Sequence, residues 1–153
     1  MKRSVLLIFT FLTLLLAGGC TQNDGHIGPL YGSWTLTQML CNGEQQQLPQ
    51  GTSTMASFQN NIVFFHLYED SDGTYTRKIG TWEQKNDDIY FNFTHSGNGT
   101  PAGTGIYSAP EWLDFPQNCV FSVALKETGG GKMTWERTAD NGDVYIYNFK
   151  RTW

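Results

Sequence analysis

This chain is short of the residues that most chemistry needs. Three cysteines and three histidines are spread over 153 residues, and none has the Cys-x-x-Cys or His-x-x-x-His spacing that gathers a metal. A Gly-x-Ser-x-Gly nucleophile setting is absent, and no phosphate-binding glycine loop sits between a strand and a helix. Basic side chains are also scarce: ten against fourteen acidic ones, for a net charge of −4. That balance argues against nucleic acid and against electrostatic adhesion to an anionic membrane. Long apolar runs are missing as well. The longest, Val5 to Leu16, holds twelve residues interrupted only by Thr10 and Thr13, well short of the roughly 20 that cross a bilayer as a helix. The expectation is a protein with no metal, no cofactor and no catalytic centre.

What is present begins at the amino end. Met1-Lys2-Arg3, the apolar run, the small Ala17-Gly18-Gly19 and then Cys20 have the order of a secretory signal: basic start, apolar middle, small-residue cleavage site. With a cysteine directly behind it, this resembles a bacterial lipoprotein precursor, cut before Cys20 and acylated on that residue. The expected organisation is a leader over 1–19, a lipidated polar tether over 20–30 and one domain over 31–153. Lys2 and Arg3 lie in the leader, so its removal takes the net charge to −6 and leaves the lipid as the means of membrane contact. Resemblance to other lipoproteins implies the outer membrane of the cell envelope.

Once Cys20 is assigned, Cys41 and Cys119 remain in a chain that has left the reducing cytosol. They form a candidate disulfide, worth on the order of 4 kcal/mol for a loop of this length. The alternative is two separately buried thiols acting as small apolar groups.

From Tyr31 onward, short segments rich in aromatic and β-branched residues alternate with turn signals, the all-β pattern. Strands are expected over 31–40, with Trp34, Leu36 and Leu40 on one face, and over 54–58, 62–68, 75–83, 89–94, 120–126, 133–137 and 144–150. Asn60-Asn61, Asn86-Asp87-Asp88, Gly129-Gly130-Gly131 and Asn141-Gly142 mark turns between them. Ser96 to Gly105 reads as an irregular loop, and Ser108-Ala109-Pro110-Glu111 as the start of a single helical turn. About eight strands joined in sequence by short turns predict a closed, antiparallel up-and-down barrel, because an open sheet would leave its edges exposed. Asp70-Ser71-Asp72-Gly73 reads as a solvated turn rather than a calcium loop, since the twelfth position, where calcium needs a carboxylate, is Thr81.

Three segments carry a family resemblance. Gly32-Ser33-Trp34, Gly80-Thr81-Trp82-Glu83 followed by Asp88-Ile89-Tyr90-Phe91-Asn92-Phe93, and the closing Val144-Tyr145-Ile146-Tyr147-Asn148-Phe149-Lys150-Arg151 together resemble the lipocalin-like domains of bacterial lipoproteins. The resemblance implies a barrel closed at one end by a tryptophan under an arginine from the last strand, roles that fall to Trp34 and Arg151. A second signature of the animal lipocalins, Thr-Asp-Tyr, has no counterpart here.

Two functional readings follow. In the first, the barrel holds a small apolar or amphiphilic ligand without catalysis. His66 and Arg77 then turn inward as polar handles, and Trp82, Trp112, Trp135 and Tyr147 line the cavity or its rim. In the second, the same rings fill a solid core, and the barrel acts as an interaction module for an envelope protein or a glycan. Paired carboxylates drawn from Glu83, Glu111, Asp114 and Glu136 would be needed for hydrolysis of a glycosidic bond.

Overall fold

The computed structural model describes residues 28–94, 106–126 and 131–152. The leader, Cys20, most of the tether and the glycine-rich stretch 96–105 lie outside them. Among the described residues there are ten strands: β1 Gly32–Cys41, β2 Glu44–Gln45, β3 Thr52–Gln59, β4 Ile62–Glu69, β5 Tyr75–Lys85, β6 Asp88–Asn92, β7 Ile106–Tyr107, β8 Asn118–Lys126, β9 Lys132–Thr138 and β10 Val144–Arg151. One 3-10 turn, Glu111–Leu113, is the helical element in that set. Eight strands follow one another around a ring, β1-β3-β4-β5-β6-β8-β9-β10, and antiparallel pairing of β10 with β1 closes it. The short β2 folds back on β1, and β7 runs parallel to β5 beyond the point where β6 ends.

Local chemistry explains the hairpins. Asn60 and Asn86 take φ of 53° and 56° at the tips of β3–β4 and β5–β6, and Gly142 takes 89° between β9 and β10. These are left-handed conformations that asparagine and glycine enter more readily than other residues. The acidic turn between β4 and β5 is held locally, with Asp72 Oδ1 accepting the Thr74 amide at 2.9 Å.

Alternation along each strand builds the interior. Ala56 and Phe58, Val63 and Phe65, Ile89 and Phe91, Phe121, Met133 and Trp135, and Tyr147 and Phe149 point inward and are buried. Gly80 faces the same way. A Cβ there would come within 2.6 Å of the Phe93 ring, so the motif needs glycine for packing.

Two expectations need correction. In β1 the pairing with β10 slips between Leu36 and Gln38, a bulge that puts Met39, not Leu40, in the core with Trp34 and Leu36. The domain also begins earlier than residue 31: Leu30 is buried in the core, and its carbonyl accepts the Trp34 indole N–H at 2.8 Å.

Candidate functional site

The two ends of the barrel are shut in different ways. At the end where β1 begins, the Arg151 guanidinium lies 4.6 Å from the centre of the fully buried Trp34 ring. Arg151 also donates to the Pro29 carbonyl. A planar cation over an indole loses little hydration energy and gains about 0.5–2 kcal/mol.

At the other end, the 3-10 turn is pushed into the mouth. Three strands hold it. Tyr147 on β10 donates its hydroxyl to the Leu113 carbonyl at 2.7 Å, Arg137 on β9 donates to the Asp114 carbonyl at 2.9 Å, and Lys78 on β5 pairs with Glu111 at 3.1 Å. Leu113, the last residue of the turn, and Phe115, two residues on, are buried.

Between the two ends the axis is filled. Trp135 sits at the centre, with Phe149, Phe91, Phe121 and Phe58 at 4.3, 5.3, 5.7 and 5.9 Å from its ring. Phe115 reaches down from the plug to Phe121 at 4.8 Å and Tyr147 at 5.3 Å. Trp135, Tyr147 and Trp82 are therefore packing groups, with Trp82 edge-on to Phe58 at 5.0 Å. Trp112 is half-buried against the same core at the mouth. The indole N–H groups of Trp82, Trp112 and Trp135 have no hydrogen-bond partner among the described residues.

His66 and Arg77 do not face the interior. On β4, Val63 and Phe65 point in, so Phe64, His66 and Tyr68 point out. The cross-strand partners of His66 and Tyr68 on β5 are Arg77 and Tyr75. The result is an aromatic wall on the outside of the barrel. His66 stacks on Phe64 at 6.2 Å and meets Tyr68 at 5.6 Å and Tyr75 at 5.2 Å. Arg77 lies 5.5 Å over Phe64, and no carboxylate among the described residues forms an ion pair with it. Burial first, and the nearby Arg77 charge second, depress the His66 pKa to about 4. The imidazole is therefore neutral at physiological pH, and its Nδ1 is buried without a partner among the described residues. Tyr75 is the most exposed ring of the group, at 52%.

Cys41 and Cys119 are both free. They stand on β1 and β8, with β10 and β9 between them in the wall, so the expected bridge is not formed. Burial raises the Cys119 thiol to about 12, partly opposed by Arg137, and it behaves as a small apolar group. The acids that hydrolysis would need are dispersed. Glu83 pairs with Lys85 on β5, Glu111 and Asp114 flank the plug, and Glu136 is exposed on β9. No group of three His, Cys, Asp or Glu side chains converges to hold a metal among the described residues.

A second feature of the outer wall was missed from sequence. The β8–β9 ladder runs from Ser122–Glu136 to Lys126–Lys132, although β8 starts at Asn118. Where the strands part, a groove of about 900 Å³ opens across the outside of β5, β6, β8 and the end of β9.

The family comparison agrees with this architecture. The profile of the lipocalin-like domain family matches residues 30–111, more than half of the chain. A crystal structure of a lipocalin-like protein from Bacteroides uniformis is 20% identical, covers 81% of this chain and 99% of its own, and superposes with a TM-score of 0.52, a likeness of fold. An uncharacterized protein from Bacteroides eggerthii is 18% identical over 78% of this chain and 98% of its own, with a TM-score of 0.44. No curated protein matches. The family match, together with the closed eight-strand ring, places the chain in the lipocalin-like domain family.

Proposed function

We propose that this chain is a non-catalytic binding module of the bacterial envelope, anchored by lipid on Cys20, that meets its partner on the outside of its barrel. The observation that carries this reading is the contrast between the two sides of the wall. Among the described residues the axis is packed with Trp135 and its neighbours, with Leu113 and Phe115 buried at its mouth, which favours a partner outside over the small apolar ligand of the first reading. Outside, Tyr75, Tyr68, His66 and Arg77 form an aromatic surface with a cation that has no ion-pair partner among the described residues. Tyrosine and arginine clusters of this kind are enriched where partners bind. Open on one side, such a wall suits a protein or glycan surface better than a free small molecule, whose affinity depends on enclosure.

The test is site-specific photocrosslinking in intact cells, with the probe placed at position 75 and, as a control, at exposed position 132. The reading expects a discrete adduct from position 75 that is lost in Arg77→Ala. Equal labelling from both positions overturns it. Palmitate-analogue labelling that persists in Cys20→Ala would remove the anchor from the account and leave the wall standing.

A further inference from the structure

The groove on the other part of the outer wall has a defined chemistry. Strand register sets its floor in two cross-strand rows. One runs Glu83, Tyr90, Val120 and the other Thr81, Asn92, Asn118, with Thr138, Asp140 and Asn61 at the margins. Tyr90 and Val120 expose 36% and 44% of their surface. They provide one ring, with the Lys85 ammonium 5.1 Å from its centre on one side, and one aliphatic patch in the middle of the groove.

The rest of the lining joins three asparagines and two threonines, which offer donors and acceptors, to Trp82, Phe91, Pro116 and Cys119; the Asn92 Oδ1 already accepts from Thr94. The charged groups are spoken for or acidic. Glu83 is paired with Lys85 at 3.0 Å, and Arg137 is committed to the Asp114 carbonyl and the Tyr145 ring at 4.6 Å.

We infer that this groove is a binding site for a neutral polysaccharide. A pyranose ring has an apolar face and a rim of hydroxyls, and this floor supplies an aromatic face ringed by amides and hydroxyls. A polyanion meets Asp140 and an acidic chain, while the described cations at the groove are engaged, Lys85 with Glu83 and the Tyr90 ring and Arg137 with the Asp114 carbonyl, so charge selects against it. An apolar ligand would strand the asparagines without partners, at a cost for each buried polar group. An added peptide strand would have only Asn118 to Phe121 of β8 to pair with, fewer residues than an average strand. The open geometry favours a polymer, which gathers affinity over successive units. This inference rests on the reading that partners are met outside the barrel, but it stands on a different surface from the aromatic wall.

The experiment is a calorimetric titration of the full chain in detergent with neutral polysaccharides (dextran, laminarin and galactomannan) and with polygalacturonate as the acidic control. Saturable binding to at least one neutral polymer is expected. Tyr90→Ala should raise Kd at least tenfold, while Tyr90→Phe and the exposed Lys132→Ala leave it within twofold, and thermal melts check that each variant is folded. Absence of binding to every neutral polymer overturns the inference, as does preference for polygalacturonate or equal affinity in Tyr90→Ala. A peptide adduct from a photoprobe at position 120 would also overturn it, in favour of strand addition. Loss of binding in Tyr75→Ala alone would move the polysaccharide to the aromatic wall, sinking the groove while sparing the proposed function. Failure of the position 75 crosslink with intact Tyr90-dependent binding would do the reverse.

Discussion

Strand β4 presents aromatic side chains to both of its faces, and the two faces behave differently. Phe65, on the inside, has no exposed surface and touches Phe91, Phe115 and Trp135 at 5.7, 5.4 and 6.3 Å. Phe64, His66 and Tyr68, on the outside, are half-exposed and packed chiefly on one another and on β5. Rings of the same kind thus do two jobs, one of cohesion and one of presentation, and strand phase alone assigns them.

The largest break in this contrast comes from truncating one ring on each side. Trp135→Ala should cost about 3–5 kcal/mol of unfolding free energy, because it opens a cavity that the surrounding rings cannot close. Tyr75→Ala should stay within about 0.5 kcal/mol. Urea denaturation of the two variants measures both, and similar losses would erase the distinction. Next in size is Tyr147→Phe. It keeps the ring and strands the buried Leu113 carbonyl, at about 1–3 kcal/mol. Hydrogen exchange should then quicken at residues 111–115 and not at the Trp34 end. A smaller effect is expected at that closed end, where Arg151→Gln removes the cation from the Trp34 ring at about 0.5–2 kcal/mol.

The subtlest prediction concerns pH. Folded His66 has a pKa of about 4, below its ordinary value of 6.5, so between those values the unfolded chain binds the extra proton. Stability is therefore undiminished by His66 above pH 6.5 and falls as pH drops through that window toward 4. His66→Gln should flatten this part of the stability profile. An unchanged slope would mean that the imidazole is not held neutral by the outer wall.

Much of the barrel was legible in the chain. Aromatic and β-branched segments between turn signals marked the eight ring strands, and Asn60, Asn86 and Gly142 occupy the positive-φ positions their turns require. Trp34 and Arg151, matched through the family motif, meet at 4.6 Å. The errors have physical reasons. The phase of β4 was misread because Ile62-Val63-Phe64-Phe65-His66-Leu67-Tyr68 is apolar or aromatic in both phases, so alternation carries no contrast. That one ambiguity sent His66 and Arg77 inward. A single bulged residue at Thr37 shifted Leu40 off the core, and no composition signal marks such a slip. The plug was invisible for a different reason. Leu113 and Phe115 sit among Pro110 and Pro116 in irregular backbone, where no repeat distinguishes a residue aimed at the core from one aimed at solvent. The groove depends on where β8 and β9 part, a tertiary feature with no local sequence mark.

The central claim, that the axis is occupied by the protein's own side chains and binding happens outside, is tested most directly by titrating the folded chain with a fluorescent fatty-acid probe. The account predicts no saturable signal up to the probe's solubility limit. Stoichiometric, saturable binding that is weakened by Trp135→Phe and untouched by Tyr75→Ala would contradict it.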